Sequence, residues 1–258
     1  MSRLAAYIGP GISLKSFLAD PSNSLYQQAR QSQESVYSTF NADGFGIGWY
    51  QDLAPQRYIM TSPIWHDGNL NALAHSLHSD LWLGVVRSNI GRGSATPYNA
   101  QPYVSDALLF MHDGFVEDFN HNLKPACLSY LSPDIASNIH GNSDSEYLFA
   151  LLRQRMLDPD ELTLEHALAD ILANLEVSLR DIPSLLNIVL SDGQRLIATR
   201  HATSHQCPSL YYTTDNEHFP GGQLIASEPL DDSDSWEPVL EHHIIILEQG
   251  CAPKISHI

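Results

Sequence analysis

Six short blocks of this sequence carry residue types that can do chemistry together. They are Ser2, Asn41-Ala42-Asp43-Gly44-Phe45-Gly46, Arg87, Asn99-Ala100-Gln101-Pro102-Tyr103, His112-Asp113-Gly114 and Ser143-Asp144-Ser145-Glu146. Removal of a methionine ahead of a small residue leaves a serine with its own free α-amine. Such an amine has a pKa near ~8 and can take the proton of the adjacent hydroxyl. Arg87 closes the uncharged run Leu83-Gly84-Val85-Val86, and a guanidinium at the mouth of a buried strand pairs bidentately with a carboxylate. Asp144 can hold an ammonium group. Its plain alternative is a helix cap, since Ser143 with Glu146 spells a capping box. Gly114 ends an apolar run, and its N–H can point at a developing oxyanion. A nucleophile, glycine-rich turns, a cation and an anion suit a site that grips an amino acid by its charged ends and attacks its side-chain amide.

The elements that must position these residues are readable from periodicity. Leu4 to Ile8 predicts a strand reaching a turn at Gly9-Pro10-Gly11, and Ser13 to Ala19 predicts a capped, brief helix. Phe45 to Tyr50 and Arg57 to Met60 flank Asp52 to Pro55 as a hairpin, and the glycines of the first arm let the backbone approach a neighbour or ligand closely. Leu70 to Leu77 reads as a helix, Leu81 to Arg87 as a buried strand, and Ala107 to His112 as another strand ending at Gly114. Tyr147 to Met156 and Thr163 to Leu179 space apolar residues three and four apart, as amphipathic helices do. Acid at Asp160, Glu161 and Glu165 suits the start of the second. Short strands follow over Ser184–Leu190, Arg195–Ala198, Leu210–Thr213, Leu224–Ser227 and His243–Leu247. Strands, helices and strands again, with no linker or repeat, predict one domain over residues 1–258, with two sheets and helices packed outside them.

Bulk properties narrow the function further. The 258 residues are 43% hydrophobic and 17% charged, ordinary for a globular protein with a full core. A net charge of −17, from 30 acids against 13 bases, argues against nucleic acid or an anionic membrane as partner. Cys127, Cys207 and Cys251 form no CxxC pair, which fits reduced thiols and a cytoplasmic location. The 13 histidines show no paired ligand spacing, so no metal site is expected. No apolar run approaches the ~20 residues of a membrane span.

The pattern resembles the class II glutamine amidotransferases, of the N-terminal nucleophile hydrolase fold. Within that family it is most like the stand-alone γ-glutamyl hydrolases of ergothioneine biosynthesis. The likeness rests on Arg3-Leu4-Ala5-Ala6-Tyr7-Ile8-Gly9-Pro10, Asn41 to Tyr50, Ser62-Pro63-Ile64-Trp65, Asn99 to Tyr103, the Asp144 block, Leu186 to Gly193, and Ala226 to Asp232 with Trp236. The last run is what points to the ergothioneine-type branch. The resemblance implies an α+β fold, a four-layer αββα sandwich of two stacked antiparallel sheets. It implies residue 2 as nucleophile, Arg87 on the glutamyl α-carboxylate and Asp144 on its α-amine, with Asp113 and Gly114 as the oxyanion hole. Ser88 and His112 join the substrate-binding residues. The substrate would be a γ-glutamyl-cysteinyl sulfoxide of trimethylated histidine, with no metal or organic cofactor; a homodimer is left open. Neither Trp65 nor Tyr103 is assigned to the trimethylammonium group.

Three residues depart from the family pattern. Residue 2 is Ser where the family has Cys, a far weaker nucleophile that implies an inactivated or slowed form. Asp113 stands where the family has Asn, and an ionised carboxylate only accepts hydrogen bonds. Arg87-Ser88-Asn89-Ile90-Gly91 lacks the usual Thr, so Ser88 or backbone groups take its place. Two other functions fit the same residues: a glutamyl-ligand binding protein without catalysis, and a glutaminase subunit supplying ammonia to a separate synthase.

Overall fold

A computed structural model describes residues 2–35, 39–88, 96–157 and 162–258. The strands are β1 (Arg3–Ser13), β2 (Phe45–Gln51), β3 (Ala54–Met60), β4 (His78–Val86), β5 (Tyr103–Ser105), β6 (Leu108–Val116) and β7 (Ser184–Ser191). They continue with β8 (Arg195–Arg200), β9 (Ala202–Thr203), β10 (Tyr211–Thr213), β11 (Gln223–Ala226), β12 (Glu237–Pro238), β13 (His243–Glu248) and β14 (Lys254–His257). The helices are α1 (Leu14–Leu18), α2 (Leu25–Arg30), α3 (Leu70–Ser76), α4 (Phe119–Asn122), α5 (Lys124–Tyr130), α6 (Pro133–Ala136), α7 (Asp144–Leu157) and α8 (Leu164–Ser178).

One sheet runs β12-β10-β11-β1-β4-β2-β3 and the other β14-β13-β8-β7-β6-β5, with β9 on β7; the pairings are antiparallel. Alternation sorts each strand's side chains into layers. Leu4, Ala6 and Ile8 of β1 join Leu83, Leu109, Met111, Val189, Ala198 and Ile245 between the sheets. Ala5 and Tyr7 turn the other way and pack with Phe17, Leu25 and Trp82 under α1–α3. Phe110 of β6 packs with Phe149, Leu168, Leu172 and Leu186 under α7 and α8. Helices, sheet, sheet, helices: this is the four-layer αββα sandwich. Among the described residues no helix is long and apolar enough to cross a membrane.

Three local expectations change. β1 does not turn at Gly9-Pro10-Gly11 but runs on to Ser13, absorbing the interruption as a register shift against β4 between Ile8 and Ile12. A proline without an N–H is tolerated in a bulge of this kind. The β2–β3 turn is tighter than Asp52 to Pro55, because Gln51 pairs Ala54 and Asp52 and Leu53 both take positive φ (52° and 65°). β6 passes through Gly114 to Val116 instead of stopping there. Of the acids expected at the start of α8, Glu165 lies in its first turn behind the Thr163 cap, while Asp160 and Glu161 lie outside the described residues.

His201, between β8 and β9, is only 1% exposed. Burial, reinforced by His242, pushes its imidazole down to about 4. The folded chain therefore keeps the ring neutral, while the unfolded chain protonates it below ~6.5. This contribution to stability is complete above pH ~6.5 and is lost as pH falls towards 4, with a total on the order of 3 kcal/mol. In urea unfolding at pH 7.5 and 4.5, His201→Gln is expected to lose less stability across the interval than the parent chain. Equal losses would remove His201 from the acid limb.

Candidate active site

Ser2 lies one residue before the first ladder pair of β1, Arg3 with Val86. Arg3 is fully buried and its guanidinium directs each nitrogen to a different acceptor. Nε–H donates to the Ser2 carbonyl (2.6 Å), Nη1 to Glu228 Oε1 (3.2 Å) and Nη2 to Asp113 Oδ2 (3.1 Å). Ser227 Oγ donates to the same Asp113 oxygen at 3.1 Å and accepts the Leu4 N–H at 3.1 Å. Glu228 in turn accepts the N–H groups of Gln33 (2.8 Å) and Glu34 (3.0 Å). Asp113 and Glu228 are as buried as Arg3. Charges at that depth persist only when paired and hydrogen-bonded, and removing one partner typically costs about 3–5 kcal/mol. Asp113 is thus an acceptor here. Its Oδ1, and Oδ1 of Asn187 paired with it across β6–β7, are buried and without a hydrogen-bond partner among the described residues.

The second half of the site is a buried cation near an anion. Arg87 follows β4, and its backbone is held on both sides by the Asn41 to Gly46 block. Its N–H donates to the Gly44 carbonyl and its carbonyl accepts the Asp43 N–H, each at 2.9 Å. Gly44 takes φ +134° and abuts the Met60 carbonyl, a position for which only glycine is suited. Burial pushes the Arg87 guanidinium below its ordinary value, while Tyr103, Asp144 and Asp43 pull it back up. Asp144 opens α7: Oδ2 accepts the Val116 N–H and Oδ1 the Ser145 N–H, both at 2.8 Å. Its carboxylate is therefore fixed at the end of β6, two residues beyond Gly114. Ser88 sits beside Arg87, half-buried; Asn89 to Gly91 lie outside the described residues.

The Asn99 to Tyr103 block braces these parts. Asn99 Oδ1 accepts the Asn142 N–H (2.9 Å) and its Nδ2 donates to Asn142 Oδ1 (2.8 Å), which holds the loop entering α7. Gln101 bonds the backbone of His112 twice, accepting its N–H at 2.6 Å and donating to its carbonyl at 3.1 Å. Tyr103 meets Ser143 Oγ at 2.6 Å. The capping box is only half built. Ser143 Oγ accepts the Glu146 N–H (3.3 Å), but the Glu146 carboxylate turns away to the N–H groups of His140 (2.9 Å) and Gly141 (2.8 Å).

His112 does not stand among ligand-facing residues. Its ring is 1% exposed, with Nε2–H donating to the Leu185 carbonyl (2.8 Å) and Nδ1 meeting Ser145 Oγ (2.9 Å). A carbonyl only accepts, so this bond assigns the hydrogen to Nε2. The ring is a brace between β6, β7 and α7. Gly114 completes that joint, since a Cβ there would run into the Leu185 carbonyl and the His112 ring.

Other candidate groups are committed elsewhere. Trp65 carries the Arg30 guanidinium 5.3 Å from its ring centre and Phe40 at 5.2 Å. Tyr103 stacks on Phe149. Burial pushes the thiols of Cys127 and Cys207 up to about 12 and about 11, which keeps them protonated and poorly nucleophilic. Cys207, Glu241 and His242 converge within 4.8 Å of one another, a grouping invisible in the sequence spacing. Arg200 already pairs with Glu241 at 3.4 Å.

The sequence profile of the class II glutamine amidotransferases matches residues 19–220. The chain belongs to that family. The gamma-glutamyl-hercynylcysteine sulfoxide hydrolase of Mycobacterium tuberculosis (strain CDC 1551 / Oshkosh) is 29% identical over 253 residues, covering 96% of this chain and 94% of that protein. A glutamine aminotransferase class-II domain protein from Silicibacter pomeroyi superposes with a TM-score of 0.72 at 25% identity, over 99% of this chain and 98% of that one. The glutamine phosphoribosylpyrophosphate amidotransferase of B. subtilis shares the fold at 14% identity, with a TM-score of 0.67 over 99% of this chain and 49% of its own. In this class II amidotransferase the tertiary structure brings three further residues to the candidate site, Arg3, Ser227 and Glu228. Arg3 carried a usable signal, a lone charge at the start of an apolar strand, the same logic that singled out Arg87.

Gly114→Ala is expected to lower stability by about 2–4 kcal/mol, because neither β7 nor the His112 ring can yield. Thermal unfolding checks this; a variant as stable as its parent would mean that β6 and β7 can part enough to admit a methyl group.

Proposed function

We propose that this chain hydrolyses γ-glutamyl amides through residue 2, and that its substrate is a γ-glutamyl-cysteinyl-histidine-betaine sulfoxide-type precursor. The observation that carries the reading is a buried Arg87 guanidinium within electrostatic reach of the fixed Asp144 carboxylate. A free amino acid end bears one carboxylate and one ammonium, so a cation and an anion held in one site match it in charge. The named activity of the Mycobacterium tuberculosis relative, with coverage along nearly both whole chains, supports the same substrate class.

In this mechanism Arg87 holds the α-carboxylate and Asp144 the α-ammonium, which presents the γ-carbonyl to residue 2. The α-amine of Ser2 takes the hydroxyl proton as Oγ attacks, and the negative charge that develops on the carbonyl oxygen is met by the Gly114 N–H. The proton passes to the departing nitrogen, leaving a glutamyl ester on Ser2. Water, deprotonated by the same amine, cleaves the ester and releases glutamate. Asp113 contributes no donor as an acceptor from Arg3 and Ser227, so the oxyanion depends on backbone alone. A hydroxyl in place of a thiol and a carboxylate in place of an amide both slow the reaction.

The engagement of Asp113 as an acceptor favours one second reading, a glutamyl-binding protein that has lost catalysis. Hydrolysis of γ-glutamyl amides by the parent chain and by Ser2→Cys, with intact mass recorded, separates the two. Turnover at least ~10-fold faster with Cys supports the hydrolase; no turnover from either, with glutamate still bound, supports the binder. In both readings Arg87→Ala is expected to abolish glutamate binding in calorimetry, and an unchanged affinity would remove the carboxylate assignment.

A further inference from the structure

We propose that Arg3, oriented by Glu228, is a positioning residue that fixes the nucleophile against the strand bearing Asp113 and Gly114. This rests on the hydrolytic reading above, but assigns residues outside the glutamyl site. Residue 2 precedes the first ladder pair of β1, so sheet hydrogen bonding does not set its orientation. The Arg3 Nε–H bond to its carbonyl, at 2.6 Å, does. Nε–H and Nη2–H leave a guanidinium along one edge, so the Ser2 carbonyl and the Asp113 carboxylate are gripped by the same rigid fork. The remaining nitrogen, Nη1, goes to Glu228, and Glu228 is itself tied to the backbone of residues 33 and 34.

One planar group thus joins the chain start, β6 of the opposite sheet, the segment after β11 and the loop after α2. Ser227 doubles the link, bridging the Leu4 N–H to Asp113. A merely structural ion pair needs no bond to the main chain of residue 2. A lysine cannot reproduce the arrangement, because an ammonium has the charge without the fork. Displacing reacting groups by about 1 Å can cost ~100-fold in rate, so the expected defect lies in the chemical step and not in ligand capture.

The test compares Arg3→Lys and Glu228→Gln in the Ser2→Cys protein, using γ-glutamyl-p-nitroanilide for kinetics and calorimetry for glutamate. Alkylation of the thiol introduced at residue 2 by iodoacetamide is followed by peptide mass spectrometry, with the exposed Cys251 as internal reference. Arg3→Lys is expected to lower kcat at least ~10-fold while KM and the glutamate Kd stay within ~3-fold, and to change the alkylation rate of the introduced thiol relative to Cys251. Glu228→Gln is expected to shift the same quantities by less. A folded Arg3→Lys with unchanged kcat, or with the loss carried by KM, overturns the proposal. If the Ser2→Cys parent hydrolyses nothing, the hydrolytic reading fails, and alkylation decides the clamp: an unaltered rate at the introduced thiol in Arg3→Lys overturns it. If Arg3→Lys does not fold, Glu228→Gln decides by the same readouts.

Discussion

The guanidinium of Arg3 is the joint on which the two sheets of this protein meet at the site. It is fully buried between Glu228 and Asp113, two carboxylates of equal burial, so none of the three can lose its partners without leaving a charge in a low-dielectric interior. That constraint reaches outward. Ser227 must keep its hydroxyl directed at Asp113 while receiving the Leu4 N–H. The loop after α2 must present its N–H groups to Glu228. The run Ala226 to Asp232 is accordingly more than a signature. Its Ser and Glu meet the N-terminal strand and β6, and Asp231 accepts from Asn216 and the Trp236 indole.

The half of the candidate site around Arg87 and Asp144 is built on a different principle. Arg87 and Asp144 come from different layers and are held mostly by backbone groups. The Asp43–Gly44 segment pins the main chain of Arg87, and the N–H groups of Val116 and Ser145 aim Asp144. Asn99, Gln101 and Tyr103 act as braces, fixing the α7 loop, the His112 backbone and Ser143. Fixed supports matter for two opposite charges, because flexible ion pairs at a surface contribute little.

Asp113 sets the two halves at odds. A neutral amide at this position could receive from Arg3 through its oxygen and still offer an N–H. The carboxylate satisfies Arg3 and Ser227 but has no donor to give. The same side chain therefore strengthens the joint and, in the proposed mechanism, leaves the oxyanion without a side-chain donor, which is the physical basis for weighing a binder against a slowed hydrolase.

Much of this was legible in the residue order. Alternation in Leu4 to Ile8 and Ala107 to His112, and the 3.6-residue period of the two long helices, are local properties that survive folding. They determined the two sheets, the helices packed outside them and the residues at strand ends. The six chemical blocks were legible for the same reason: glycine, arginine and carboxylate each serve a chemistry that depends on residue type. What the tertiary structure decided was the assignment of partners. Whether His112 meets a ligand or braces β7, whether Glu146 closes a capping box or holds the 140–141 loop, and whether Asp113 donates or accepts all depend on which distant groups arrive beside them. Arg3 and Glu228 stand 225 positions apart, and nothing local in either records the other. Their pairing follows only once β1 and β11 lie side by side, in the register that sets Ala5 opposite Ala226; stacking of the second sheet then adds Asp113.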